Sequence, residues 1–368
     1  MRRGSIFVIL FALLAAAIVG ASQFLRAQPA LEVRIAVDPL IAGWAEAVIR
    51  DVNATQPLIN STRRVQFVTI VIDDPDVWGG RANWTPTNHP DAWIPSASLS
   101  VGYASSEGLP FTTSQDSLAR TPLVWGGYPS RVNILTENGA QPLDFGAVRR
   151  AAEAGRWDQI GGQAAWGFID LGLQQPSRKM GGLAVLLTGA ADLAENPQLT
   201  ASDLSGSYRT VAAGLLNSVV NFNTLGADPA RTMASSYDST VEVALLPESL
   251  WLNNLPGLVR HEQGFVFNYP AYQFVLTFPF ARWTPDLNTA PEIAPALDLL
   301  QSWLTRADQQ ARLTEFGLRP AATEPAVTDE TFSLGIPYGI ALTPNYGQAV
   351  VPPSRGDVQG IVEWAAQQ

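Results

Sequence analysis

The chain has 368 residues, of which 46% are hydrophobic and 15% are charged, and its formal net charge is -10. This length exceeds what one hydrophobic core usually serves, so two lobes of roughly 100 to 200 residues each are expected. The hydrophobic content excludes a disordered chain. The acidic balance argues against nucleic acid as a partner, because phosphate binding needs a basic face.

The residue types that carry most enzyme chemistry are scarce. The chain has no cysteine, and its two histidines, His89 and His261, lie far apart in sequence. Thiolate, zinc and iron-sulfur sites are therefore not indicated. The nucleophile elbow, the phosphate loop and the dinucleotide fingerprint are also missing from the sequence. We therefore predict a protein that is not an enzyme, with no catalytic residues, no cofactor and no metal. A glycosidase remains open as an alternative, since two carboxylates suffice for that chemistry.

The N-terminal segment has the pattern of an export signal. Arg2 and Arg3 precede an apolar run over residues 6–21, and Ala21 ends a small-residue stretch that suits cleavage. An uncleaved anchor is the alternative, if residues 24–25 extend the run. The prediction is a signal or membrane anchor over residues 1–30, with the rest of the chain extracytoplasmic. Membrane contact is expected through this segment alone.

Strand and helix patterns alternate in the first third of the chain. Residues 31–37 form a strand pattern, Asp38 suits an N-cap, and Pro39 suits the first turn of a helix over residues 40–52. Further strands are predicted at 65–72, 92–94 and 118–125, and a helix at 96–103. This alternation predicts an α/β lobe with parallel strand pairing.

The later elements predict a second lobe and a return to the first. Helices are predicted at 144–155, 180–188, 204–222, 293–304, 307–316 and 358–366, and strands at 164–171, 241–246 and 264–267. The chain is expected to leave the first lobe near Trp125 and to re-enter it near Phe274, so that two hinge strands flank a cleft. The predicted domains are lobe I over residues 31–124 plus 275–330, lobe II over 125–274, and a C-terminal extension over 331–368.

Two serine-bearing helix starts are candidates for holding a ligand. Ser96 and Ser98 follow a short apolar strand, and Ser177 and Arg178 precede a second helix. Hydroxyls and free backbone N–H groups at such starts bind small polar groups without any catalytic residue. An N-cap role is the alternative for Ser96. Tyr272 lies at the second predicted crossing, where ligand contact and hinge packing are both open.

Several segments together resemble a known family. They are residues 35–39, 90–96, 118–124, 176–177, 243–249 and 316–321, and they span most of residues 31–321 in family order. By these segments the chain resembles bacterial extracellular solute-binding proteins of the type II periplasmic-binding fold. It is most similar to the branch related to molybdate-binding proteins, among members associated with von Willebrand factor A modules.

The resemblance implies a two-lobe α/β fold with two hinge crossovers and a ligand held by the loops that follow the strands. Combined with the helix starts and the crossing, it gives the predicted ligand-binding set: Asp38, Pro39, Ser96, Ser98, Ser177, Arg178, Glu248 and Tyr272. For Glu248, pairing with an arginine across the lobe boundary is the alternative. The carboxylates of Asp38 and Glu248 would repel a desolvated oxyanion. A neutral or cation-bearing small polar solute is therefore expected in preference to molybdate or sulfate.

Two kinds of partner follow from this interpretation. A solute-binding protein would present its ligand to a membrane transporter. The alternative is a surface interaction or scaffold module of the same fold, acting with a von Willebrand factor A-type protein. An apolar or collapsed cleft would favour the scaffold, whereas a polar cleft with Ser96, Ser177 and Glu248 facing inward would favour solute binding.

Overall fold

The computed structural model describes residues 11–15, 29–60, 63–237, 240–285 and 290–368. Most of the export signal or anchor predicted over residues 1–30 lies outside the described residues; residues 11–15 are helical with exposed side chains. None of the helices formed by the described residues has the length and apolar character needed to cross a membrane.

Strands and helices alternate along the described chain. The strands are β1 (Leu31–Val37), β2 (Leu58–Ile59), β3 (Arg63–Val71), β4 (Ala92–Ile94), β5 (Phe111–Gln115), β6 (Ala119–Gly127), β7 (Leu171–Gly172), β8 (Val243–Pro247), β9 (Val266–Asn268), β10 (Tyr272–Gln273), β11 (Val275–Leu276), β12 (Phe280–Trp283), β13 (Arg319–Pro320) and β14 (Gln348–Ala349). The α-helices are α1 (Pro39–Ala54), α2 (Asp74–Trp78), α3 (Ser98–Ser106), α4 (Pro129–Leu135), α5 (Phe145–Ala154), α6 (Met180–Ala194), α7 (Ser207–Asn217), α8 (Phe222–Leu225), α9 (Pro229–Ser236), α10 (Glu248–Leu258), α11 (Ile293–Leu304), α12 (Ala307–Ala311), α13 (Glu330–Ser333) and α14 (Arg355–Ala365). Short 3-10 helices lie at Trp157–Ile160, Ala164–Trp166, Ala201–Leu204, Arg312–Phe316 and Ile336–Tyr338.

The first sheet has the strand order β2-β3-β1-β4-β12-β5. Strand β1 pairs in parallel with both β3 and β4, and β12 returns antiparallel between β4 and β5. Residues 35–37 of β1 and the whole of β4 are buried, as expected for strand segments that are covered on both faces. Helix α1 lies over this sheet and buries Trp44 and Val48 completely. This body is called the first lobe below.

The second sheet is built around β6 and has the order β11-β6-β8-β7, with β9 and β13 also pairing with β6. Strand β8 runs antiparallel to β6 and parallel to β7. Helix α6 packs against β8 and is buried continuously from Met180 to Ala191. This body is called the second lobe below.

Two segments join the lobes, as the predicted fold class requires. The strand pairing changes sheet between Gln115 and Ala119, and changes back between Leu276 and Phe280. The two segments lie side by side, because the Leu118 N–H donates to the Phe278 carbonyl at 2.9 Å. The domain boundaries at residues 124/125, 274/275 and 330/331 stay predictions.

Some predicted elements are wrong in the second lobe. A strand was predicted over residues 164–171. Ala164–Trp166 instead form a 3-10 helix that is capped by Gly167, and strand geometry is found only at Leu171–Gly172. The helix predicted over 204–222 is divided, because Gly206 has a φ of 51° immediately before α7 and because α8 is separate. Helix α10 was not predicted, since Pro247 indicated the end of a strand rather than the residue that precedes a helix.

Candidate functional site

A cavity of about 220 Å³ lies between the two lobes. Its walls are Asp38, Pro39, Leu40 and Asp73 from the first lobe, and Gln174, Lys179, Met180, Gly181, Ala227, Asp228, Ser249, Leu250 and Asn253 from the second. Several of these residues lie within two positions of the end of a strand: Asp38 after β1, Gln174 after β7 and Ser249 after β8. Open α/β sheets bind ligands at the carboxyl ends of their strands, and this cavity occupies that position.

Asp38 joins the cavity to the core of the first lobe. Its Oδ1 accepts a hydrogen bond from the Leu40 N–H at 2.8 Å and so caps α1, as the sequence predicts. Its own N–H donates to the Ile94 carbonyl at 2.9 Å. Burial raises the pKa of Asp38 well above its usual value, and the nearby Asp74 carboxyl raises it further. A cation placed beside Asp38 would favour its ionised form.

Asp74 lies behind the cavity wall and organises a group of hydroxyls. Its carboxylate accepts the Ser96 N–H at 3.1 and 3.0 Å, the Ser96 hydroxyl at 2.9 Å and the Ser100 hydroxyl at 2.7 Å. Burial raises the pKa of Asp74 to about 6, although the hydrogen bonds from Ser100 and Ser96 lower it. The Ser96 hydroxyl, predicted to contact a ligand, therefore has Asp74 as its partner in the structure.

An ion pair crosses the cavity from one lobe to the other. The Lys179 ammonium donates to both oxygens of Asp73, at 2.9 and 2.8 Å. Burial raises the pKa of the Asp73 carboxyl, and the hydrogen bond from Lys179 opposes that rise. Beside this pair, Arg81 of the first lobe donates through Nη2 to the Ser177 carbonyl at 2.9 Å. Both contacts join the segment around α2 to the start of α6.

Asp228 brings a further carboxylate to the wall on the second-lobe side. Its Oδ1 accepts the Arg231 N–H at 3.1 Å and so caps α9, while its Oδ2 accepts the Asn254 side-chain amide at 2.9 Å. Burial raises the pKa of Asp228 as well. The carboxylates of the wall thus each have a protein partner and still give the cavity an acidic lining.

Two buried polar atoms of the wall residues have no hydrogen-bond partner among the described residues. They are the Oε1 of Gln174 and the Oγ of Ser249. Both residues are almost fully buried, at 3% and 1% exposure. The side-chain nitrogen of Gln174 has a partner, because Nε2 donates to the Ala227 carbonyl at 2.7 Å. An unpaired buried acceptor costs free energy, so a polar group that reached these atoms from the cavity would gain from pairing with them.

The Glu248 carboxylate lies in a fully buried ion pair, away from the cavity wall. Arg319 donates through Nε to Oε2 at 2.6 Å and through Nη2 to Oε1 at 2.8 Å. The Tyr269 hydroxyl donates to the same carboxylate. The structure therefore gives Glu248 the arginine partner that was the alternative to ligand contact, and the wall residue is its neighbour Ser249.

The remaining predicted residues are spread around the cleft. Pro39 lines the cavity next to Asp38. Ser98 is exposed, with its hydroxyl 3.3 Å from that of Thr277. Ser177 is buried and contributes its carbonyl to Arg81, whereas Arg178 is exposed. Tyr272 is half-buried in β10, which pairs with β14. Of the predicted set, the wall contains Asp38 and Pro39; ligand contact by any member stays a prediction.

Several wall residues were missed from the sequence, although three carried a signal. Asp73 follows shortly after β3 as Asp38 follows β1, so the same strand-end rule applies to it. Lys179 is the only lysine of the chain. Asp228 precedes Pro229 as Asp38 precedes Pro39, so the same cap pattern applies to it, whereas Gln174 and Asn253 carry no such pattern.

A second cavity of about 220 Å³ lies among α5, α6 and α7, lined in part by Arg149, Asp192 and Tyr208. It belongs to the second lobe alone, so lobe closure would not enclose its contents. No group of potential metal ligands is found among the described residues.

No family model and no curated protein sequence matches the chain. Solved structures do match. The sulfate-binding protein SubI from Mycobacterium tuberculosis is 14% identical, with a TM-score of 0.52 over 92% of this chain and 99% of that one. A ferric binding protein from Campylobacter jejuni is 10% identical, with a TM-score of 0.57 over 91% and 97%. The GacH receptor of Streptomyces glaucescens, described with acarbose, is 11% identical, with a TM-score of 0.56 over 92% and 93%.

These similarities and the two-sheet architecture define the fold class. The chain has the two-lobe α/β fold of type II periplasmic binding proteins, joined by two crossovers. The relation to the molybdate-binding branch and the association with von Willebrand factor A modules stay predictions.

Proposed function

We propose that the chain is an extracytoplasmic solute-binding protein that closes its two lobes on a small polar ligand and presents it to a membrane transporter. The observation that carries the proposal is the pair of unpartnered buried atoms, Gln174 Oε1 and Ser249 Oγ, on residues that line the interlobe cavity. Buried polar groups in native proteins are nearly always hydrogen-bonded. A ligand whose polar groups reached these two atoms would satisfy both.

The charges of the wall support a neutral or cation-bearing solute. Asp38, Asp73 and Asp228 contribute carboxylates, and the cation of the wall, Lys179, is already paired with Asp73. An oxyanion would meet these carboxylates at low effective dielectric and would be repelled. The fold does not decide this point, because proteins named for binding sulfate, ferric iron and acarbose share it.

The mechanism follows from where the polar groups lie. Asp38 and Asp73 belong to the first lobe, whereas Gln174 and Ser249 belong to the second. A ligand held by both sets binds the closed arrangement more tightly than the open one, and therefore shifts the equilibrium toward closure. The Lys179–Asp73 ion pair stabilises the same closed arrangement. A transporter would then distinguish loaded from empty protein by the degree of closure.

The alternative of a scaffold acting with a von Willebrand factor A-type partner has one observation in its favour. None of Ser96, Ser177 and Glu248 lines the cavity, and Ser96 and Glu248 have protein partners in place of the ligand they were predicted to contact. The cavity is open and three aspartates line it, which favours solute binding over this alternative. Catalysis is not proposed, since the wall carboxylates cap helices or form an ion pair and the structural neighbours are named as binding proteins.

Thermal unfolding with probe solutes tests the proposal. The probes are glucose, 1,4-diaminobutane, sulfate and molybdate at equal ionic strength, and a probe present at 100 times its dissociation constant adds about 2.7 kcal/mol to the free energy of unfolding. We expect stabilisation by glucose or 1,4-diaminobutane and none by the oxyanions. Asn253 is an exposed wall residue, so Asn253→Trp should block the cavity and abolish the shift.

The matched control is Asn223→Trp, which changes an exposed residue of α8 outside the cavity wall and should leave the shift intact. Stabilisation that persists in Asn253→Trp would place the ligand elsewhere. The absence of a shift with every probe would favour the scaffold.

A further inference from the structure

The C-terminal extension contacts both lobes. We call residues 348–365 the C-terminal strap; it contains β14, α14 and the link between them. Strand β14 pairs in parallel with β10, with Tyr272 opposite Gln348 and Gln273 opposite Ala349. The strap therefore begins beside the second crossing and continues past it.

The strap is anchored firmly on the second lobe. The Val351 N–H donates to the Pro197 carbonyl at 2.8 Å, and the Leu199 N–H donates to the Val351 carbonyl at 3.0 Å. Helix α14 packs against the 3-10 helix Ala201–Leu204, burying Val358 and Ile361 completely. Burial of an apolar helix face is the strongest of these contributions, so the strap should move with the second lobe.

The same strap contacts the first lobe through a few polar groups near α2 and α3. Arg355 forms an ion pair with Glu107 at 2.6 Å and donates through Nη2 to the Trp78 carbonyl at 3.0 Å. The Tyr103 hydroxyl donates to the Pro353 carbonyl at 3.1 Å. These first-lobe partners lie in or next to α2 and α3. Polar contacts of this kind are broken at much lower cost than a buried apolar face.

We propose that the C-terminal strap is a further link between the lobes, beyond the two crossing segments and the return of the chain to β13, and that Arg355 must detach from α2 and α3 before the cleft opens. Helix α2 begins directly after Asp73, the residue that Lys179 holds across the cavity. The strap and the Lys179–Asp73 pair thus hold the two ends of the same short segment against the second lobe. These two contacts favour the closed arrangement of the lobes without a ligand. The cleft opens only when both contacts are released.

The absence of cysteine makes the proposal directly testable by distance measurement. Glu46 on α1 and Asn223 on α8 are exposed and lie on different lobes, so Glu46→Cys and Asn223→Cys provide the only thiols for two spin labels. Pulsed electron spin resonance on the full chain then reports the distribution of interlobe distances. We expect Arg355→Ala to raise the ratio of long to short distances about two- to fivefold, the range for losing a partly exposed ion pair.

A second variant and a control variant show whether the effect of Arg355→Ala is specific to its contact with the first lobe. Glu107→Gln removes the ion pair without changing the strap, and should shift the distribution in the same direction. Arg306→Ala removes an exposed arginine that pairs with Asp308 within one segment, and should leave the distribution unchanged. The proposal is overturned if folded Arg355→Ala and Glu107→Gln both give the wild-type distribution, or if Arg306→Ala shifts it equally.

Discussion

Arg319 carries the only charge that the structure shows opposite the fully buried Glu248 carboxylate among the described residues, and it links β13 to the start of α10. Arg319→Met would leave that carboxylate buried without a cation. Removing one partner of a buried pair costs about 3 to 5 kcal/mol, because the other charge stays uncompensated. We therefore expect the free energy of unfolding in urea to fall by this amount.

The exposed pair Arg306–Asp308 provides the comparison for this prediction. Arg306→Met should change the free energy of unfolding by less than about 1 kcal/mol, since exposed ion pairs contribute little. Equal effects of the two substitutions would show that the Glu248–Arg319 pair is not the buried structural contact described above.

The Asp74 carboxyl makes stability depend on pH in a definite direction. Its folded-state pKa of about 6 lies above the usual 3.8, so the folded protein holds this proton more tightly than the unfolded chain. The resulting stabilisation is fully present below about pH 4 and is lost as the pH rises through about 6. The raised pKa of Asp38 acts in the same direction.

Asp74→Asn tests this dependence, because asparagine keeps a carbonyl acceptor for Ser96 and Ser100 but does not titrate. The free energy of unfolding of the wild type, measured relative to the variant, should decrease between pH 4 and pH 6. Parallel curves for the two proteins across this range would contradict the assignment of the raised pKa to Asp74.

At the scale of elements, the start of α6 depends on two glycines. A Cβ on Gly182 would lie 2.1 Å from the Gln174 carbonyl oxygen, and one on Gly181 would lie equally close to Gln174 Oε1. The helix can therefore approach the wall residue Gln174 only because side chains are missing at both positions. This close approach brings Met180 and Lys179 into the cavity wall.

Gly182→Ala should displace the start of α6 and lower the free energy of unfolding by about 1 to 3 kcal/mol, the usual cost of overpacking. Gly214 on α7 is the matched control, since a Cβ there meets nothing within 4 Å. Gly214→Ala should be neutral or stabilise by up to about 1 kcal/mol, because alanine favours a helix. Chemical denaturation measures both, and a loss at Gly214 as large as that at Gly182 would contradict the packing argument.

The elements that the sequence predicts best are those defined by local chemistry. Strand β1, the Asp38 cap and the start of α1 at Pro39 are as predicted, because an N-cap and a proline in the first turn act within a few residues. Helix α10 was missed, since Pro247 stops a strand and precedes a helix with the same backbone geometry. Local signals do not distinguish these two roles.

At the scale of the whole molecule, the two-lobe α/β class was predictable and much of the site was not. The roles of Ser96 and Glu248 depend on Asp74 and Arg319, which lie 22 and 71 residues away in the sequence. Lys179 acquires its partner 106 residues away, across the cavity. Such pairs are fixed by how the lobes pack, and a single sequence holds no periodic pattern that reveals them.

The central claim is that two lobes close on a neutral or cation-bearing solute, and the interlobe distance in Lys179→Met tests it most directly. This substitution removes the ion pair across the cavity, so the spin-labelled chain should populate longer distances than the wild type. Adding glucose or 1,4-diaminobutane should then restore the short distance, whereas sulfate and molybdate should not. A distribution that matches the wild type and responds to none of the four solutes, or a short distance restored only by the oxyanions, would contradict the account.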